Sequence, residues 1–175
     1  MLSSRFFRRI FVPYLLLICA ATVGVGAFLA FRVRENYLQR TLETLNQQSV
    51  LIGELLKGDL WRGNTAGIES AARRLGETLK CRVTIIEDDG RVIGDNEADP
   101  AQMENHRQRG EVVRADLNGD GYEERPSRTL GQPMLYWAHK LVTPDGKTHF
   151  VRLSVHMADL NHQLNLLYGA LASSC

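Results

Sequence analysis

The chain has 175 residues, enough for one ordinary domain with an accessory segment, and its net charge of +1 gives no global basis for binding nucleic acid. Four of its 21 lysines and arginines (Arg5, Arg8, Arg9, Arg32) lie in the first 32 residues, which hold no acid, so the remainder is acidic by three charges. The cysteines Cys19, Cys81 and Cys175 form no CxxC pair, which excludes a zinc ribbon or dithiol redox motif.

Residues 10–31, "IFVPYLLLICAATVGVGAFLAF", carry no charge over 22 positions. About 20 apolar residues span a bilayer core, whereas the apolar part of a signal peptide is about 7–15 residues long. An uncleaved membrane helix is expected over 10–31, with Pro13 near its start, where a helix tolerates proline. Arg5, Arg8, Arg9 and the terminal amine outnumber Arg32 and Arg34. That excess places 1–9 in the cytoplasm and residues 32–163 outside it.

Residues 32–62 read as a membrane-proximal helix. Leu38, Leu42, Leu45, Ser49, Ile52 and Leu56 follow a 4-3-4-3-4 spacing, a coiled-coil-like seam with one polar interruption. The seam packs on its own domain or pairs with the same helix of a second subunit. A second helix is expected over 65–79, capped by Asn64 or Thr65, with Ile68, Ala72, Leu75 and Leu79 on one face. "CRVTIIE" (81–87) is β-branched; Cys81 reads as a small buried hydrophobe. "DDG" (88–90) is a turn signal and "RVIGD" (91–95) the return strand. Asp99 caps a short helix that opens at Pro100. Strands follow at about 123–129, 133–142 and 147–157, the last two joined by the "TPDG" turn. The pattern is α+β, with an antiparallel sheet of about five strands and the outer domain over 63–157. Residues 158–175 lead into a second, uncharged apolar segment, "LNLLYGALASSC", too short to cross a bilayer. The chain therefore reads as a fragment ending within a second span.

"RVTIIEDDGRVIGDNEADPAQMENHRQRGEV" and "RPSRTLGQPMLYWAHKL" together resemble the extracytoplasmic sensor domain of bacterial PhoR-like sensor histidine kinases, of the phosphate-regulon type. That family shows a strand–"DG"–strand hairpin, an acidic stretch, "MENH", "RPE" and an "R-x-S-x-TLG…MLY" segment. Arg125, Ser127, Thr129, Leu130, Gly131, Met134, Leu135 and Tyr136 match the last of these. "RGE" (109–111) replaces "RPE", "DN" (95–96) replaces "DS", and Pro126 stands where an aromatic is common, which argues for an edge or bulged strand there. The resemblance implies a PAS-like or Cache-like fold in a homodimer with two membrane helices per chain. It further implies a missing cytoplasmic kinase core that uses ATP and Mg and passes its phosphoryl group to a response regulator.

No histidine is followed by the acid and proline of a phosphoacceptor helix, and HExxH, GxSxG and P-loop motifs are absent from the sequence. Catalysis is therefore not expected of this chain. "DLNGDGYEE" has the opening of a calcium loop: Asp116, Asn118 and Asp120 at positions 1, 3 and 5, the Tyr122 carbonyl at 7 and Glu124 at 9. Position 12 is Ser127 rather than the bidentate glutamate, and the alternative is a solvated Asn-Gly/Asp-Gly turn. The acids of 95–104 read as caps or as metal ligands. The 91–106 segment is expected to form a lid over the sheet, bordering any small-molecule pocket. Candidate ligand contacts are Asp95, Asn105, His106, Arg125, Arg128 and Tyr136. His106 is a pH sensor or ligand contact, or makes a structural hydrogen bond to the loop. Arg125 and Arg128 hold an anion, or pair with Asp95 or Glu97. The expected function is the sensory input of a two-component kinase in the bacterial inner membrane. The alternatives are an anchored interaction or calcium-binding module, or the outer domain of a chemoreceptor or diguanylate cyclase.

Overall fold

A computed structural model of the chain describes residues 4–126 and 132–157. It divides into two units, Met1–Arg40 and Thr41–Cys175, and one helix, α1 (Ser4–Arg62), contributes to both. The expected second span at 164–175 and Arg128 lie outside the described residues.

In the first unit, α1 is the one helix among the described residues that is long and apolar enough to cross a membrane. At 1.5 Å per residue, 22 helical residues extend roughly 33 Å, about the thickness of a bilayer core. Phe11, Leu15, Leu16, Leu17, Phe28 and Phe31 are all exposed. Because the helix begins at Ser4, Pro13 sits inside it rather than in its first turn. The carbonyl of Arg9 therefore lacks its helical donor.

In the second unit, five strands form one antiparallel sheet, as expected. They are β1 (Arg82–Glu87), β2 (Val92–Asp95), β3 (Asp120–Pro126), β4 (Pro133–Val142) and β5 (Thr148–His156), in the spatial order β2-β1-β5-β4-β3. The first and last strands in the chain lie inside the sheet, which leaves β2 and β3 at its edges. Pro126 ends the edge strand β3, where a missing N–H costs least.

Alternation along the strands divides the sheet into two faces. Ile85, Val151, Leu135, Trp137 and Leu141 share one face by register. Against it lies the seam of α1: Leu42, Leu45, Ser49, Ile52, Leu56 and Leu60 are all buried. The Trp137 indole donates to Ser49 Oγ at 3.1 Å, and a methyl group at Gly53 would touch Leu141 and Val151. The seam thus packs on its own sheet, and its polar interruption is the acceptor for a buried tryptophan. Helix α2 (Thr65–Leu79) adds to this layer, capped by Asn64, whose Oδ1 accepts from Gly67 N. Its fully buried residues are Ile68, Ala71, Ala72 and Gly76, while Leu75 and Leu79 are only half-buried. Gly94 of β2 lies directly beneath Ile68 and Ala72.

The opposite face carries Ile86, Phe150 and Ala138, which pack with Val92 against Val112 and Ala115 of a third helix, α3 (Gly110–Asn118), and against Met103. This helix was not expected, because its apolar residues are few and the 116–124 segment reads as a loop. Its signals are an acid in the first turn (Glu111) and Gly119 after its last residue, at φ 94°. Residues 96–109 cover the rest of this face. They include a single 3₁₀ turn, Pro100–Gln102, capped by Asp99, which accepts from Ala101 N at 3.0 Å.

Candidate functional site

On the α3 face the apolar half of the sheet gives way to a buried polar cluster. Arg82, Thr84, Tyr136, Arg152 and Ser154 share this face by register, and Glu111 of α3 meets them from the opposite layer. Arg152 is 3 % exposed and Glu111 fully buried. Arg152 Nη1 lies 3.5 Å from Glu111 Oε1, and Arg125 Nη2 lies 3.3 Å from the same oxygen. The Arg125 guanidinium also stands 3.9 Å from the Tyr136 ring centre, with that of Arg152 at 5.4 Å. One tyrosine ring and one carboxylate oxygen thus hold two like charges in register. Burial lowers the Arg152 pKa to about 10, so it remains a cation at neutral pH.

The cluster continues through Thr84, which accepts from Arg152 Nη2 at 3.1 Å and donates to Asp95 Oδ2 at 2.7 Å. Asp95 also accepts from Arg82 Nε and from the backbone N–H groups of Glu97 and Ala98. A buried carboxylate with this many donors is a structural brace. Three atoms of the cluster have no hydrogen-bond partner among the described residues: Glu111 Oε2, Arg152 Nε and Ser154 Oγ.

His106 is buried in the lid, and its Nδ1 donates to the Glu104 carbonyl at 2.6 Å. A carbonyl can only accept, so this bond fixes the proton on Nδ1. Burial first, and then the nearby Arg152 charge, lower its pKa to about 4. Asn105 bridges the lid to the hairpin turn: its amide donates to the Asp89 carbonyl and its oxygen accepts from Arg107 N. It also lines a hollow of about 490 Å³ between α2, the β2 edge and the lid, together with Thr65, Asp89, Arg91 and Met103. The six expected ligand contacts thus occupy more than one place. Asp95, Arg125 and Tyr136 belong to the buried cluster, His106 lies within reach of its charge, Asn105 faces the separate hollow, and Arg128 is outside the described residues.

Two expectations need correction. Arg125 does not pair with Asp95 or Glu97; its partners are Glu111 and, at 3.4 Å, Glu123, because it faces α3 rather than β2. Residues 116–124 do not form a loop. Asp116 and Asn118 close α3, while Asp120, Tyr122 and Glu124 alternate along β3. The Asp116 carboxylate is held by Lys140 at 2.8 Å and Arg107 at 2.6 Å, which lower its pKa. The Tyr122 carbonyl accepts from Arg114 Nη1 at 2.6 Å. The ligand oxygens point into different partnerships, and no three His, Cys, Asp or Glu side chains stand together as a metal set among the described residues.

Thr84, Glu111, Arg152 and Ser154 escaped the sequence reading. Arg152 carried a signal, because in "HFVRLSVH" it shares the phase of Phe150 and so falls on a buried face. Glu111 carried none beyond its position in "RGE", since its partners come from distant strands.

The model of the Single Cache-like family matches residues 36–156. No curated protein sequence matches the chain. Among solved structures, the ligand-binding domain of the Campylobacter jejuni chemoreceptor Tlp3 in complex with L-valine superposes with a TM-score of 0.61 at 10 % identity, over 77 % of this chain and 60 % of that one. The Escherichia coli DcuS sensor domain gives 0.51 at 15 % identity, over 72 % and 98 %. The extracellular domain of the putative histidine kinase rpHK1S-Z16 gives 0.50 at 17 %, over 70 % and 54 %. At such identities the likeness is one of fold. The ligand-binding domain of Mlp24 with asparagine is matched over only 53 % of its length, so this chain spans about half of it.

Proposed function

The chain belongs to the single Cache-like family of sensor domains, and we propose that it is the sensory input region of a PhoR-like membrane histidine kinase. The observation that carries this reading is the placement of Tyr136 and Trp137. They are neighbours on β4, one in the buried polar cluster and the other hydrogen-bonded to Ser49 of α1. A change on the α3 face can therefore alter packing on the α1 face through one strand. Helix α1 runs unbroken from Ser49 into the apolar segment at 11–31. A signal acts only through a difference in affinity for two arrangements of this joint.

In this reading the N-terminus is cytoplasmic, the sheet lies outside the inner membrane, and the receptor is a homodimer. A cytoplasmic kinase core uses ATP and Mg and serves a response regulator. The segment 125–136, with its "R-x-S-x-TLG…MLY" pattern, supports the PhoR-like type. The chemoreceptor domains among the structural neighbours favour a second reading, a chemoreceptor input. Incubating the full gene product with labelled ATP in membranes separates the two. Acid-labile, base-stable phosphate that changes on Trp137→Phe supports the kinase. No label, with methyl-accepting output instead, would overturn it.

A further inference from the structure

The face of the sheet that carries α1 holds two histidines in a largely apolar layer. His139 of β4 pairs across with Val151 of β5, and Leu141 of β4 with His149 of β5. Alternation puts all four side chains on that face. Leu141 and Val151 lie on one diagonal of this square, the two histidines on the other. Gly53 of α1 sits over the apolar diagonal, where an added Cβ would lie 3.6 Å from Leu141 and 3.8 Å from Val151. The helix thus crosses between the two imidazoles. His149 is 5 % exposed and His139 half-buried. The Nδ1 atom of each is buried and has no hydrogen-bond partner among the described residues.

A neutral imidazole tolerates such a place when Nδ1 is its bare acceptor nitrogen. Protonation puts an N–H on both nitrogens and adds a charge, so each ring acquires a buried donor without an acceptor. None of the acids nearby reaches either Nδ1. His139 faces Glu54 of α1 and Asp120 of β3, and Glu54 is held by Lys57 at 3.0 Å. His149 faces Glu87 of β1, Asp145 and Lys147. Arg91 Nε donates to Glu87 at 2.9 Å, and Lys147 holds Asp145 at 3.0 Å. Burial outweighs these carboxylates and lowers both histidine pKa values below the usual 6.5. Relief comes only from solvent. The sheet does not open to admit it, because β4 and β5 are interior strands with a ladder on either side. The α1 segment is joined to them by apolar packing and by the Trp137–Ser49 bond, one turn from Gly53.

We propose that His139 and His149 form a proton-operated wedge beneath α1, and that charging both rings lifts the helix from the sheet at Gly53. This goes beyond the sensor reading above: the input is acidity itself, acting at the α1 joint rather than through the α3 face. Each ring binds its proton more tightly once water reaches it, so the lifted arrangement gains as pH falls below about 6.5. Each histidine raises the ratio of lifted to seated helix by up to about tenfold per pH unit, and the two together by up to about a hundredfold.

Trp137 reports the event, because lifting at Gly53 breaks its bond to Ser49 and admits a quencher. The full chain in detergent micelles carries Trp61→Phe, which leaves Trp137 as its one tryptophan. Acrylamide quenching is followed from about pH 7.5 to about pH 5. It should rise reversibly with uptake of about two protons, at unchanged far-ultraviolet circular dichroism. His139→Gln and His149→Gln should each reduce the uptake to about one proton, and the double variant should abolish the rise. His106→Asn should leave it unchanged. Amide exchange in wild type needs no substitution. After correction for the intrinsic pH dependence of exchange, protection over 49–56 should fall with pH while β4 and β5 stay protected. Flat quenching in the Trp61→Phe chain would overturn the wedge. So would a rise that survives in the double variant or vanishes with His106→Asn, or a loss of protection in all elements together. A chain that meets these expectations but takes no label from ATP keeps the wedge and loses the kinase reading.

Discussion

Burial and the nearby Arg152 charge hold His106 neutral down to about pH 4, whereas an unfolded chain takes up that proton near pH 6.5. Between those values the unfolded state binds more protons than the folded one, so stability falls as pH falls. The slope from this residue is at most about 1.4 kcal/mol per pH unit. His139 and His149, whose pKa values are also lowered mainly by burial, act in the same direction. Urea midpoints of the wild-type chain should drop from pH 7 towards pH 4.5, and His106→Asn should flatten part of that drop. Parallel curves would show that His106 titrates alike in the folded and unfolded chain. Ser49→Ala leaves a buried indole N–H without its acceptor, at a cost of about 1–3 kcal/mol. Ser49→Leu restores the heptad pattern, yet should also destabilise, because the seam meets Trp137 rather than a partner leucine. A rise in melting temperature for Ser49→Leu would instead support a coiled coil at this position.

At the scale of elements, α3 determines what the acidic residues can do. By ending in Asp116 and Asn118 it converts an apparent calcium loop into a helix end followed by an edge strand. Gly121 is needed there for space: an added Cβ would lie 2.5 Å from Arg114 Cβ and 2.7 Å from the Glu111 carbonyl. Glu111 reaches the sheet because β3 passes this close to α3. Asp116→Asn weakens the links to Lys140 and Arg107. The expected drop in melting temperature is the same in millimolar calcium as in chelator, and a calcium-dependent difference would revive the metal site.

For the whole molecule, the open question of orientation has a direct test. Ser70 is exposed on α2, and Ser70→Cys supplies a reactive thiol there. Cys81 is buried, with its thiol pushed up to about 11 by burial, and reacts poorly. In intact spheroplasts, a membrane-impermeant maleimide should label Ser70→Cys without lysis. Labelling only after lysis would put the sheet on the cytoplasmic side.

The local signals proved dependable. The uncharged run at 10–31, the Asn64 and Asp99 caps, the hairpin at 88–90 and the alternation of β4 and β5 are each written in neighbouring residues, because capping, turns and periodicity act over a few positions. Those signals determine an α+β chain with a long apolar helix and an antiparallel sheet. Tertiary structure alone decided that the α1 seam faces its own sheet, that Asp95 braces Arg82 and Thr84, and that Glu111 sits between Arg125 and Arg152. The separation of partners in sequence explains the difference: Trp137 lies 88 residues from Ser49, and the Arg152–Thr84 bond spans 68. A residue's choice among distant charged or aromatic groups follows from strand order and register, which no local pattern encodes.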